Sequence, residues 1–254
     1  MKLFRIFFSI YALIIFVALM LPVFLVALLS LTTGKVTGGN FVYRACVLWA
    51  DIWFALVFIR VRKINKELFD PDEKHIIVVN HISYLDIPVM AKVFRKPLRP
   101  LGKFEMTRVP IFGFIYKRAV VTVDRSSPEN RNGSLKILKS IITKGISVLV
   151  FPEGTFNETH QPLKEFYNGA FRIAIETQTP VKPVLFLDNF DRMPYTTLLS
   201  LNPGRCRVLY LPDIEVNGLS MDDVEMLKQK TYAMMEQQLK EYKVSWIDHG
   251  RKID

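Results

Sequence analysis

The chain has 254 residues, half of them hydrophobic, and a net charge of +10 from 34 Lys and Arg against 24 Asp and Glu. That length suits one sizeable domain with an attachment. Its two cysteines, Cys46 and Cys206, lie far apart without metal-ligand spacing, which argues against a disulfide framework or a zinc site. The positive charge is dispersed and no nucleic-acid-binding motif accompanies it, so the charge points to an anionic membrane surface or an acidic substrate rather than to nucleic acid.

Phe7 to Leu31 carries no charge and is apolar on every face. It is long enough to cross a bilayer as a tilted helix, and no small-residue cleavage site follows it. Pro22 inside it predicts a kink. Thr32 to Asn40 reads as a turn-rich linker. Phe41 to Ile59 then reads as an apolar helix with Arg44 and Asp51 on one face, closed by Arg60, Arg62 and Lys63. Residues 1–63 are thus expected to form a membrane-associated helical hairpin, which spans the bilayer or lies in one leaflet. Lys2 and Arg5 before it, with the cations after it, place the remainder on the cytoplasmic side.

From about Lys66 the composition becomes that of an ordinary globular domain, assigned to residues 64–254. Strands are expected at Ile76 to Val79, Ala119 to Val123, Ser147 to Phe151, Val181 to Leu187 and Cys206 to Leu211. Helices are expected at Ile87 to Phe94, Gly133 to Thr143 and Gly169 to Glu176. Ser220 to Asp223 resembles a capping box opening a long helix to about Tyr242. This alternation defines an α/β domain with a largely parallel sheet flanked by helices.

Four clusters carry polar residues suited to chemistry. Asn80-His81-Ile82-Ser83-Tyr84-Leu85-Asp86 directly follows a strand, the place where α/β folds build sites. Histidine titrates near neutrality and can take a proton from an alcohol, and a carboxylate on its other ring nitrogen would fix the tautomer. On a straight helix His81 and Asp86 would point about 140° apart, so the segment must turn first, with Ser83 or Asp86 as N-cap. Lys103, near Glu105, Pro110 and Gly113, and Arg125 after a strand are cations able to hold an anionic head group, or ordinary surface charge. Phe151-Pro152-Glu153-Gly154-Thr155 again follows a strand. Gly154 permits close backbone approach to a ligand there, and a plain turn with a structural Glu153 explains it equally. Lys164 to Phe171, with Val181 to Val184, would shape the site floor or simply pack the core.

Taken in order, these clusters resemble the glycerolipid acyltransferase family that includes lysophosphatidate acyltransferases. The resemblance runs over roughly residues 75 to 190 and rests on Asn80-His81 with Asp86, Lys103 and Glu105 through Gly113, Arg125, Phe151 to Thr155, Gly169-Ala170-Phe171 and Pro183-Val184. It implies an acyltransferase fold, a thioester donor on acyl carrier protein or coenzyme A, and catalysis without a bound cofactor or metal. By the resemblance His81 is the general base and Asp86 its orienting partner. Arg125 and Lys103 would bind the acceptor phosphate, Glu153 would position the glycerol or brace its loop, and Gly154 and Thr155 would complete that loop. The implied reaction moves a fatty acyl group to the free hydroxyl of 1-acyl-glycerol-3-phosphate, giving phosphatidate, at a membrane.

Two departures bear on the acceptor. The family usually has Arg after the Gly-Thr pair, where this chain has Phe156, and often Lys where it has Tyr167. Another lysolipid, such as one with an amino-acid head group, is the alternative acceptor. A non-catalytic lipid-binding relative is the alternative from a different class.

Overall fold

The computed structural model describes residues 2–123 and 128–247. Helices α1 (Lys2–Leu29) and α2 (Lys35–Leu56) lead into β1 (Ile59–Ile64), β2 (Ile76–Val79), α3 (Asp86–Val93), β3 (Arg99–Lys103), α4 (Phe112–Ala119) and β4 (Val121–Val123). There follow α5 (Pro128–Ile142), β5 (Val148–Val150), α6 (Gly169–Glu176), β6 (Val181–Phe186), α7 (Asn189–Arg192), β7 (Gly204–Tyr210) and α8 (Val224–Glu241).

The seven strands form one sheet of order β1-β7-β6-β2-β5-β3-β4, parallel throughout except for the β6/β7 pair. Side chains alternate across each strand. Ile77, Val79, Leu149, Val184 and Phe186 therefore face a layer built from α1 to α4, while Ile76, Val78, Val148, Val150 and Leu185 face α5, α6 and α8. Burial on both faces explains why β2 and β6 are buried at every position. Because β2, β5 and β6 are parallel, the loops after Val79, Val150 and Phe186 emerge at one end of the sheet. That end carries the site.

The expected hairpin is present, with shifted limits. Lys35 already opens α2, so the expected linker shrinks to a short break. Gly38 and Gly39 are packing residues of that helix. A Cβ on Gly38 would stand 2.2 Å from Arg118 Nη2, and one on Gly39 2.6 Å from the Arg118 carbonyl oxygen and from Arg99 Nη2. α1 runs unbroken through Pro22. Arg60, Arg62 and Lys63 do not close a helix. They lie on β1, an edge strand in parallel register with β7, so the sheet begins at Ile59, ahead of the expected boundary after residue 63.

Two strands, β1 and β3, and two short helices, α4 and α7, join the elements read from the sequence. β3 holds Pro100 and Gly102 in mid-sheet. It pairs with β5 through Arg99 and Pro100, then with β4 from Leu101 onward. The Ser220 capping box forms as expected, with Ser220 and Asp223 exchanging hydrogen bonds just before α8.

Candidate active site

His81 leaves the end of β2 and Asp86 opens α3. The loop between them does turn, and Ser83 contributes as expected: its Oγ accepts the Leu85 N–H at 2.9 Å just ahead of the helix. Asp86 does not cap α3; its carboxylate reaches back, and its Oδ2 accepts the backbone N–H of Ile82 at 2.8 Å and of Ser83 at 2.9 Å. The same oxygen meets His81 Nδ1 at 2.7 Å. Asp86 is fully buried, whereas the His81 side chain is 18% exposed. A carboxylate oxygen can only accept, so Nδ1 carries the proton and Nε2 is left as the basic nitrogen.

The imidazole lies between two aromatic rings. Phe151 stacks on it at 4.3 Å between centroids, and Phe156 covers it from another side at 4.4 Å. Tyr84 meets Phe156 edge-on at 4.9 Å, extending the aromatic wall. These rings fix the imidazole plane and exclude water from its faces.

Glu153 braces the main chain of His81. Its Oε1 accepts the His81 backbone N–H at 2.7 Å, and its Oε2 accepts the Lys164 backbone N–H at 2.9 Å. Of the two roles expected for Glu153, this geometry is that of the brace: the side chain is 1% exposed and both oxygens face backbone donors. Burial pushes its carboxyl up to about 8, while the two N–H donors and the Lys164 charge pull the other way. Gly154 adopts a left-handed φ of 72° and donates its N–H to the Phe151 carbonyl at 3.0 Å, closing the turn. Thr155 is exposed at the turn and its Oγ1 accepts from Lys164 Nζ at 2.8 Å.

Lys103 ends β3 at the same end of the sheet and is exposed. Arg125 lies outside the described residues. Ala170 and Phe171, like Val184, are buried in the core, so that cluster packs the domain beneath the site. Gly113 is also a packing residue, since a Cβ there would stand 2.3 Å from the Thr107 carbonyl oxygen. Among the described residues no group of three or more His, Cys, Asp or Glu is placed to hold a metal ion.

Sequence reasoning missed three contributors. Asn189, fully buried at the start of α7, donates its side-chain N–H to Asp86 Oδ1 at 2.8 Å. The Asn157 backbone N–H donates to the His81 carbonyl at 2.8 Å. Phe156 supplies a ring to the imidazole. A signal for Asn189 existed: Asp188-Asn189 follows an apolar strand directly, the pattern that drew attention to His81 and Glu153.

Strand-end loops that bring a His–Asp pair to one end of a mostly parallel sheet define an α/β enzyme site, and comparison with known proteins gives its class. A family model described as Acyltransferase matches residues 60–187, about half of the chain, and the chain belongs to that family. It is 28% identical over 207 residues to mouse 1-acyl-sn-glycerol-3-phosphate acyltransferase alpha, covering 79% of this chain and 71% of the relative. The sheep protein of the same name is 29% identical, over 68% of this chain and 60% of that protein. The Salmonella typhimurium 1-acyl-sn-glycerol-3-phosphate acyltransferase is 28% identical, over 65% of this chain and 67% of that protein. In fold, the chain is similar to the crystal structure of the 1-acyl-sn-glycerophosphate (LPA) acyltransferase PlsC from Thermotoga maritima. That likeness has a TM-score of 0.78 at 21% identity and covers 97% of this chain and 99% of the other.

Proposed function

We propose that this acyltransferase moves a fatty acyl group from a thioester, carried on acyl carrier protein or coenzyme A, to the free hydroxyl of 1-acyl-glycerol-3-phosphate, giving phosphatidate. The observation that carries the reading is the 2.7 Å contact between His81 Nδ1 and a buried Asp86, set among the motifs of the family. The names of the relatives support the acceptor.

His81 Nε2 takes the proton of the acceptor hydroxyl as its oxygen attacks the thioester carbonyl carbon. The tetrahedral intermediate collapses, the C–S bond breaks, and the imidazolium returns the proton to the leaving thiolate. Asp86 holds the tautomer and stabilises the transient imidazolium. The thioester is already activated, so base catalysis and proximity suffice without an acyl-enzyme. Glu153 and Asn157 fix the His81 main chain through its N–H and its carbonyl.

The enzyme is further proposed to sit on a membrane by α1. Leu3 to Thr32 is long and apolar enough to cross a bilayer. Its outer face is open, with Phe7 63%, Ile14 63% and Leu29 74% exposed. Its inner face is docked on the domain over most of its length. Ser9 Oγ accepts from the Leu201 N–H at 2.9 Å, Trp53 Nε1 donates to the Ala12 carbonyl at 2.9 Å, and Phe24 meets Phe114 at 5.4 Å. A helix fastened this way is suited to lie along one leaflet with the domain beside it. The flanking cations favour the cytoplasmic side.

Acyl transfer by the purified protein in lipid nanodiscs tests the reaction. Lysophosphatidate should be acylated by the wild type and not by His81→Ala.

A further inference from the structure

If the acceptor carries a phosphate monoester, some cation must meet it, and Phe156 stands where the family usually has an Arg. The structure shows that this position cannot supply the charge indirectly. The Phe156 ring is turned onto His81 at 4.4 Å and onto Tyr84 at 4.9 Å, so it belongs to the wall around the imidazole.

A different cation is fastened to the same turn. The Lys164 backbone N–H donates to Glu153 Oε2 at 2.9 Å, and its Nζ donates to Thr155 Oγ1 at 2.8 Å. Lys164 is thus tied at both ends to the turn whose other contacts hold His81. Its ammonium forms no ion pair among the described residues. The Glu153 carboxyl group beside it is buried and occupied by backbone donors. An ammonium has three N–H groups, and the contact with Thr155 takes one. Two remain for an anion brought to the turn. Lys103 and Arg172, which unlike the half-buried Lys164 are exposed, have no such tether to residues 153–155 among the described contacts.

We propose that Lys164 binds the acceptor's phosphate, taking the place of the Arg that the chain lacks after Thr155. Thr155 fixes the ammonium at the mouth of the turn, and Glu153 couples that turn to the His81 main chain, so the phosphate and the base are set on one rigid unit. This rests on the lysophosphatidate reading above. It also gives Thr155 a role that does not require it to touch the acceptor.

The test is steady-state acylation of lysophosphatidate in nanodiscs by the wild type, Lys164→Gln and Lys164→Arg, with thermal stability followed for each. Loss of a hydrogen bond to a charged group corresponds to roughly a ten- to a hundredfold effect. Lys164→Gln should raise the acceptor KM by that amount, leaving the donor KM and the kcat at saturating acceptor within about threefold. Lys164→Arg should restore most of the acceptor KM, since it keeps the charge. Wild-type turnover with an unchanged acceptor KM in Lys164→Gln overturns the proposal alone. So does a drop in kcat and donor affinity together that Lys164→Arg does not repair, which is the mark of a purely structural lysine. No wild-type turnover of lysophosphatidate removes the acceptor reading and this proposal with it.

Discussion

Asp86 Oδ1 accepts the side-chain N–H of Asn189 at 2.8 Å, and through this bond the loop after β6 holds the carboxylate that orients His81. Asp86 Oδ2 is already engaged by His81, Ile82 and Ser83. The Asn189 bond therefore decides how the second oxygen, and with it the carboxylate plane, is set. Replacing Asn189 with Leu, similar in size but without a donor, should lower kcat by about tenfold with little change in either KM. A wild-type kcat in Asn189→Leu would show that Asp86 is set without this bond.

Glu153 makes stability depend on pH in a definite direction. Its carboxyl is raised from the ordinary 4.5 to about 8 in the folded state, chiefly by burial. Between those values the folded chain holds a proton that the unfolded chain releases, so this group's contribution to stability is full below about pH 4.5 and is lost as pH rises through about 8. Glu153→Gln removes the linkage. Measured in detergent at pH 5 and pH 8, the wild type should lose more thermal stability than this variant on going to pH 8. Parallel losses would show that Glu153 does not titrate in that window.

The same substitution should also impair catalysis. Both Glu153 oxygens accept backbone N–H groups, from His81 and Lys164. A neutral carboxyl can still accept on its hydroxyl oxygen, whereas a Gln amide accepts on its carbonyl side only, so one N–H would face an NH2 group. An unsatisfied buried donor costs about 1–3 kcal/mol, and here it would displace either the base or the Lys164 segment. Glu153→Gln should reduce kcat at least about tenfold, and full activity at pH 7 would refute the brace.

The outer face of α1 should control membrane attachment. Phe7, Ile14 and Leu25 are at least 58% exposed. Changing all three to Ser leaves the docked inner face intact. Each buried side chain of this kind is worth about 1.5–3 kcal/mol, so vesicle binding should fall by at least about a hundredfold with the fold retained. Unchanged vesicle binding would place the membrane contact elsewhere.

Much of this architecture was legible in the sequence, for physical reasons. β2 and β6 are buried on both faces and so read as unbroken apolar runs, and the motifs at the ends of β2 and β5 stood out as polar groups after such runs. β1 was hidden because its Ile and Val alternate with Arg and Lys, a pattern that next to an apolar helix reads as its charged end. β3 was hidden because Arg99-Pro100-Leu101-Gly102-Lys103 breaks every strand preference. Gly102 nevertheless has a packing role, since a Cβ there would meet the Tyr116 side chain, which would have to move. The His81–Asp86 pairing could be anticipated but not its mechanism, since spacing alone does not reveal a carboxylate that folds the loop by binding its backbone. Asn189 could have been noticed as a polar residue after an apolar strand, but not its pairing with Asp86, which is distant in sequence and is brought close by the sheet.

The most direct test of the account is acyl transfer in nanodiscs, with acyl carrier protein and coenzyme A thioesters offered against a panel of lysolipids, comparing the wild type with His81→Ala. The account predicts phosphatidate from lysophosphatidate. It also predicts a loss of roughly 10²–10⁴-fold in His81→Ala, the usual range for removing a general base, with folding and membrane binding unchanged. Turnover by His81→Ala close to that of the wild type would contradict the role assigned to the His81–Asp86 pair.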